Sequence, residues 1–187
     1  MTKLLASMAN RKPVLISLGL LALAAMTVAL MPKGVRADER VPIKGAFAVA
    51  ASATPNTGGI TYCGGRALDT AVEAHGAGYS TLGALSLSLQ KTIESAGTAM
   101  HGCLTLTAPN GDNLNATYDG TEGPSNANNF NFGTGTLTFT GGTGRFRDAS
   151  GSAQFTGVFG GIYGQLNPPF NVMAFYSIEG TVFLPQQ

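Results

Sequence analysis

The residues that could do chemistry are few and scattered. His75 and His101 are the only histidines. A catalytic metal would need both, with a carboxylate such as Glu73 or Asp69, and no HExxH-type spacing joins them. His101 and Cys103 alternate on one stretch, the arrangement of a Cys–His nucleophilic pair. Arg145 and Arg147 flank Phe146 and form a candidate anion contact; the plainer alternative is a local salt bridge, with Asp148 in reach. Asp112, Asn113, Asn115 and Asp119 offer oxygen ligands of the kind calcium uses, but without the DxDxDG order, and Asn and Asp are ordinary turn formers. No carboxylate pair has a glycosidase-like spacing. The Gly141–Gly142–Thr143–Gly144 run lacks the GxxxxGK[ST] order of a phosphate loop. No cofactor is implied. Asn115-Ala116-Thr117 matches a glycosylation sequon, which matters only in a cell with that machinery.

Cys63 and Cys103 are the only cysteines, and no CxxC motif supports redox catalysis. In an exported chain they pair in the one way available, closing a loop from 63 to 103 and placing the Ile60–Cys63 segment beside the Ala99–Ala108 strand. Two buried free thiols are the alternative. Tyr62, Tyr79, Tyr118, Tyr163 and Tyr176, with Phe130, Phe132 and Phe175, could line an apolar cavity or serve as ordinary packing.

These residues must be positioned mainly by strands. From Thr134 to Gly157 the chain reads strand, glycine-rich corner, strand. Leu137 and Phe139 alternate with threonines, Gly141, Gly142 and Gly144 supply a structural turn around Phe146, and Ala153 and Phe155 alternate on the way out. Upstream, Asp38 to Arg40 is a frayed start and Ile43–Ala53 a strand. Thr54–Gly59 is a turn cluster, and Ile60–Cys63 can pair briefly. Arg66–His75 fits a short helix or a strand, with Gly76 and Gly78 ending it. Leu85, Leu87 and Leu89 alternate with serines in a long half-buried strand from Tyr79 to Ile93, whose end turns polar at Gln90-Lys91-Thr92. Ala99–Ala108 follows, with Leu104 and Leu106 inward. Asn110-Gly111 marks a type I′ hairpin turn, leading to a strand with Leu114, Ala116 and Tyr118. Asp119–Asn129 is a loop, and the strand from Phe130 runs on to Thr140. Val158–Asn167 alternates again, and Pro168-Pro169 ends it. Phe170–Leu184 is a last strand, covered on both sides and bulged at Gly180. About eight strands and at most one short helix predict an all-β, antiparallel fold. An eight-stranded barrel removes exposed edges, and a sandwich is the alternative.

The N-terminal segment reads as a signal. Lys3, Arg11 and Lys12 precede the apolar run Val14–Met31, and Val35-Arg36-Ala37 supplies small residues at a cleavage site. Cleavage after Ala37 leaves 38–187 as a single β-barrel-like domain, secreted or periplasmic. The alternative is a retained anchor, the one membrane contact foreseen. Six basic and ten acidic residues follow Ala37, a net charge of −4, and no basic patch supports a nucleic-acid partner.

Gly141-Gly142-Thr143-Gly144-Arg145-Phe146-Arg147-Asp148-Ala149-Ser150-Gly151 resembles the GGTGRF…A.G signature of barrels of the allene oxide cyclase and dirigent group. Asn110-Gly111-Asp112-Asn113-Leu114 and Ile178-Glu179-Gly180-Thr181-Val182 resemble segments of bacterial exported proteins in that group. The resemblance covers Ile43 to Leu184 and implies an eight-stranded antiparallel barrel of unassigned activity. The plant enzymes' catalytic residues do not map onto this sequence. Three functions are consistent with these features: a noncatalytic small-ligand-binding or envelope-associated barrel, an isomerase or cyclase acting on an apolar small molecule, and a self-associating structural protein.

Overall fold

A computed structural model of the chain describes residues 39–94, 99–123, 126, 128, 130–161 and 168–185. The proposed signal segment lies outside them, as do Tyr163 and the rest of 162–167. Eight antiparallel strands close into a barrel in sequence order: β1 (Glu39–Pro55), β2 (Thr70–Ser80), β3 (Gly83–Ile93), β4 (Ala99–Thr107), β5 (Asn113–Glu122), β6 (Phe130–Gly142), β7 (Ser150–Gly161) and β8 (Phe170–Leu184). Each strand pairs with its neighbour in sequence, and β8 closes onto β1 with Glu39 opposite Leu184. Apart from strands, a single 3-10 turn, Gly144–Phe146, is present among the described residues.

Period-two alternation builds the core. Leu85, Leu87 and Leu89 of β3, Leu104 and Leu106 of β4, and Leu114, Ala116 and Tyr118 of β5 point inward, while the intervening Ser, Thr and Asn face out. The glycine-rich corner joins β6 to β7 as the sequence predicts. Gly141 and Gly144 take φ of 107° and 54°, where a side chain is strained. Phe146 is fully buried and joins the core of Ile43, Leu85, Leu106, Leu114 and Val182.

Several expectations are corrected. Residues 66–75 form no helix: the strand begins at Thr70 and runs straight through Gly76 and Gly78 to Ser80. These glycines face inward, where a Cβ would collide with the Ala48 and Ala46 carbonyl oxygens and with Val49 and Phe47. They make room for large neighbours instead of breaking the strand. Tyr79 belongs to β2, and Thr81–Leu82 forms the turn into β3. Ile60–Cys63 is loop, not strand. Glu39 and Arg40 already pair with β8, β1 extends through Pro55, and β5 extends to Glu122. The Asn110-Gly111 turn is not type I′. Only Gly111 has positive φ, 88°, and Gly111 N–H donates to the Ala108 carbonyl around Pro109-Asn110. Gly180 keeps continuous register with both neighbours; the irregularity falls instead between Asn115 and Ala116, opposite Gly141 and Phe139. The outer face of β8 is uncovered, with Met173 43% and Phe175 60% exposed.

Candidate functional site

The connections alternate between the two barrel ends: 81–82, 108–112 and the glycine-rich corner lie at one, and 56–69, 94–98, 123–129 and 162–169 at the other. Strand parity places a polar group inside the barrel toward this second end. Lys91 shares the inward parity of Leu85, Leu87 and Leu89, and Glu122 that of Leu114, Ala116 and Tyr118. Lys91 is 2% exposed, and its Nζ lies 3.4 Å from Glu122 Oε2, 3.9 Å from Met100 Sδ and 4.3 Å from the Phe159 ring centre. Asn131 Nδ2 donates to Glu122 Oε1 at 2.9 Å. Burial lowers the Lys91 pKa from its usual value, against the pull of Glu122. Burial pushes the Tyr118 and Tyr176 phenols up, and Glu122 adds to both.

Aromatic side chains of the described strands pack on one another inside the barrel. Tyr118, Phe155, Tyr176 and Phe159 stack edge-to-face in sequence, with ring centres 5.4, 6.4 and 5.4 Å apart. The void that Tyr118, Phe155 and Tyr176 share with Leu87, Leu89, Leu104, Leu137 and Ile178 is about 20 Å³, the space of roughly one water. The polar cluster thus caps a filled core.

A larger space lies on the outer wall. Two cross-strand rows line a groove of about 780 Å³ over β6, β7, β8, β1 and β2. One row runs Phe132, Val158, Phe175, Ala48, Ala77; the next runs Thr134, Thr156, Ser177, Ala46, Tyr79. Alanines form the floor, and Phe132, Phe175 and Tyr79, 56%, 60% and 78% exposed, stand above it. Of the aromatics grouped by sequence, Tyr79, Phe132, Phe175 and Tyr176 line this groove. Tyr118 packs inside, Tyr176 reaches the interior void as well, Phe130 is exposed on β6, and Tyr62 sits on the β1–β2 connection with its hydroxyl 3.4 Å from Glu73.

The remaining candidates have local partners. Cys63 and Cys103 are disulfide-bonded with Cα atoms 5.9 Å apart, so no thiol is left for a Cys–His pair. The bond ties the β1–β2 connection to the outer face of β4, and the buried Thr92 hydroxyl of β3 donates to the Arg66 carbonyl of the same connection at 2.9 Å. His75 faces outward on β2, apart from His101 on β4, and His101 Nδ1 pairs with Asp119. Asn113 and Asn115 accept hydrogen bonds from Thr107 and Thr105 across the β4–β5 pair. Asp112 Oδ2 accepts from the Arg145 backbone N–H and from Asn110 Nδ2, which holds its carboxyl below the usual range. The oxygen-rich residues therefore do not converge. Arg145 donates from Nη2 to the Leu82 carbonyl at 3.0 Å and lies over the Phe146 ring. Arg147 is exposed.

No protein-family description matches the chain, and no curated protein does. Among solved structures, it is similar to the pterocarpan synthase dirigent protein PsPTS1 with a TM-score of 0.50 at 13% identity, over 81% of this chain and 99% of that one. A second pterocarpan synthase dirigent protein, GePTS1, aligns with a TM-score of 0.42 at 15% identity, over 80% of this chain and 88% of that one. The likeness to the former is one of fold: an eight-stranded antiparallel barrel like those of dirigent proteins.

Proposed function

We propose that this chain is an exported, noncatalytic barrel that binds a small apolar molecule in the groove on its outer wall. The observation that carries this reading is the 780 Å³ groove with an alanine floor and rims of exposed phenylalanine and tyrosine. Small-molecule sites are concave and predominantly apolar, with a few polar groups for orientation. Thr134, Thr156 and Ser177 supply those groups along one row. The filled interior argues against an isomerase or cyclase working inside the barrel. Export rests on the N-terminal sequence pattern. At 13% identity, the dirigent neighbour's activity is not carried over.

The test uses the uncharged fluorescent probe N-phenylnaphthylamine on the chain from Asp38 onward. Saturable one-to-one binding is expected. A Phe132→Ser/Phe175→Ser double variant that keeps its circular dichroism should bind at least tenfold more weakly, about 1.4 kcal/mol. Unsaturable binding, or an unchanged affinity in the folded variant, overturns the reading. An oligomer that forms with rising concentration and dissolves on the same substitutions would make a second copy the occupant.

A further inference from the structure

The Cys63–Cys103 bridge sits beside a histidine whose second nitrogen has no hydrogen-bond partner among the described residues. His101 and Cys103 alternate on β4, so both project from the outer face. Asp119, directly opposite His101 on β5, takes the hydrogen bond from Nδ1. That bond sets the tautomer leaving the lone pair on Nε2. Nε2 is buried and has no hydrogen-bond partner among the described residues. What covers the ring is the strap that carries Cys63. Gly65, two residues further on, lies so close that a Cβ there would collide with the Cδ2–Nε2 edge of the imidazole. The strap is reachable, since Cys63 itself is exposed.

We propose that reduction of this disulfide creates a zinc site from the Cys63 and Cys103 thiolates and His101 Nε2, with Asp119 as the positioning residue behind the histidine. Two sulfurs and one imidazole nitrogen form a zinc donor set, leaving a fourth position for water. In the oxidised chain no group of three or more His, Cys, Asp or Glu side chains is placed to hold a metal ion among the described residues, and both sulfurs are in the bridge. The chemistry balances with a dithiol as reductant. The dithiol gives up two electrons and two protons and becomes a disulfide, and the Cys63–Cys103 bond breaks to two thiols. Zinc then replaces the two thiol protons, which pass to solvent, while neutral His101 donates its lone pair. Re-oxidation by a disulfide reverses both steps and expels the ion. The strap is thus a redox-gated holder of a thiophilic cation.

The experiment uses the chain from Asp38 onward, reduced with a phosphine, freed of reductant without oxygen and titrated with Co²⁺. Expected are one-to-one binding with a sulfur-to-cobalt charge-transfer band, displacement of cobalt by Zn²⁺, and no band in the oxidised protein. His101→Ala should weaken binding at least tenfold, and Asp119→Asn by roughly ten- to a hundredfold. His75→Ala, removing the other histidine, should leave it unchanged. Absence of the band in the reduced protein overturns the proposal, as does an affinity indifferent to His101 or equally sensitive to His75. Circular dichroism accompanies each titration. If reduction alone unfolds the barrel, recovery of the strand spectrum on adding Zn²⁺ supports the site, and no recovery overturns it.

Discussion

Lys91 Nζ faces Glu122 Oε2 at 3.4 Å across the inside of the barrel, between strands that are not neighbours in the sheet: β3 and β5 are separated by β4. The pair is therefore a transverse tie. A buried ion pair often adds little net stability against apolar groups of the same size, but removing one partner strands the other. Lys91→Met should cost about 3–5 kcal/mol, and so should Glu122→Leu. The double variant should recover most of that loss. Guanidinium unfolding with an unchanged denaturant slope checks it.

Stability should fall on the alkaline side as buried phenols are forced to ionise. Tyr118 and Tyr176 have folded pKa values above the unfolded value of about 10. Above that pH the unfolded chain releases these protons while the folded chain keeps them, so stability drops as pH rises. Lys91 acts oppositely. Its folded pKa is lowered, so its contribution rises with pH from that folded value up to about 10.5. Lys91→Met should remove the rise and leave the fall. In the folded protein, tyrosinate absorbance should lag that of the unfolded chain by at least two of the five phenols.

Replacing both cysteines by serine should lower stability by about 4 kcal/mol, the loop-entropy value for a separation of 40 residues. The strand signal in circular dichroism should persist below the midpoint, since the bond ties a connection to the wall and bridges no strand pair. An undiminished midpoint, measured in guanidinium with and without reductant, would remove the bond from the account of stability.

Phe146→Ala should cost about 3–5 kcal/mol, because the side chain is fully buried and belongs to the hydrophobic core. The neighbouring Arg147→Ala, on the same corner but exposed, should change stability by under about 0.5 kcal/mol. Thermal melts of the two variants side by side separate the core anchor from its surroundings.

Much of the barrel is legible in the alternation of single strands. Leu85–Leu89 and Leu114–Tyr118 state their inward faces outright, because serine, threonine and asparagine occupy every other place. The same rule carried two residues past Leu89 and four past Tyr118 would have placed Lys91 and Glu122 inside. Charge hid them, since a lysine at a strand end usually marks the way out to solvent. Gly76 and Gly78 were illegible for another reason. Whether a glycine ends a strand or yields space to Phe47 and Val49 depends on the neighbouring strand. The groove depends on register across five strands: Phe132, Val158, Phe175, Ala48 and Ala77 are far apart in sequence and meet in one row only after closure. The disulfide was legible from two cysteines together with an export signal, whereas the meeting of Gly65 with His101 was not.

The seam between β1 and β8 also bears on how fast the chain can reach this state. Seven of the eight pairings join strands that follow one another, and each can form by short loop closure. The eighth brings Glu39 beside Leu184, across nearly the whole described chain, and so carries the largest closure entropy. Until it forms, the inward leucines of an open sheet face water and both outer strands present unpaired backbone. The late, long-range zippering of β8 onto β1 should therefore limit the folding rate, and substitutions along that seam should slow folding more than equal losses within the β4–β5 hairpin.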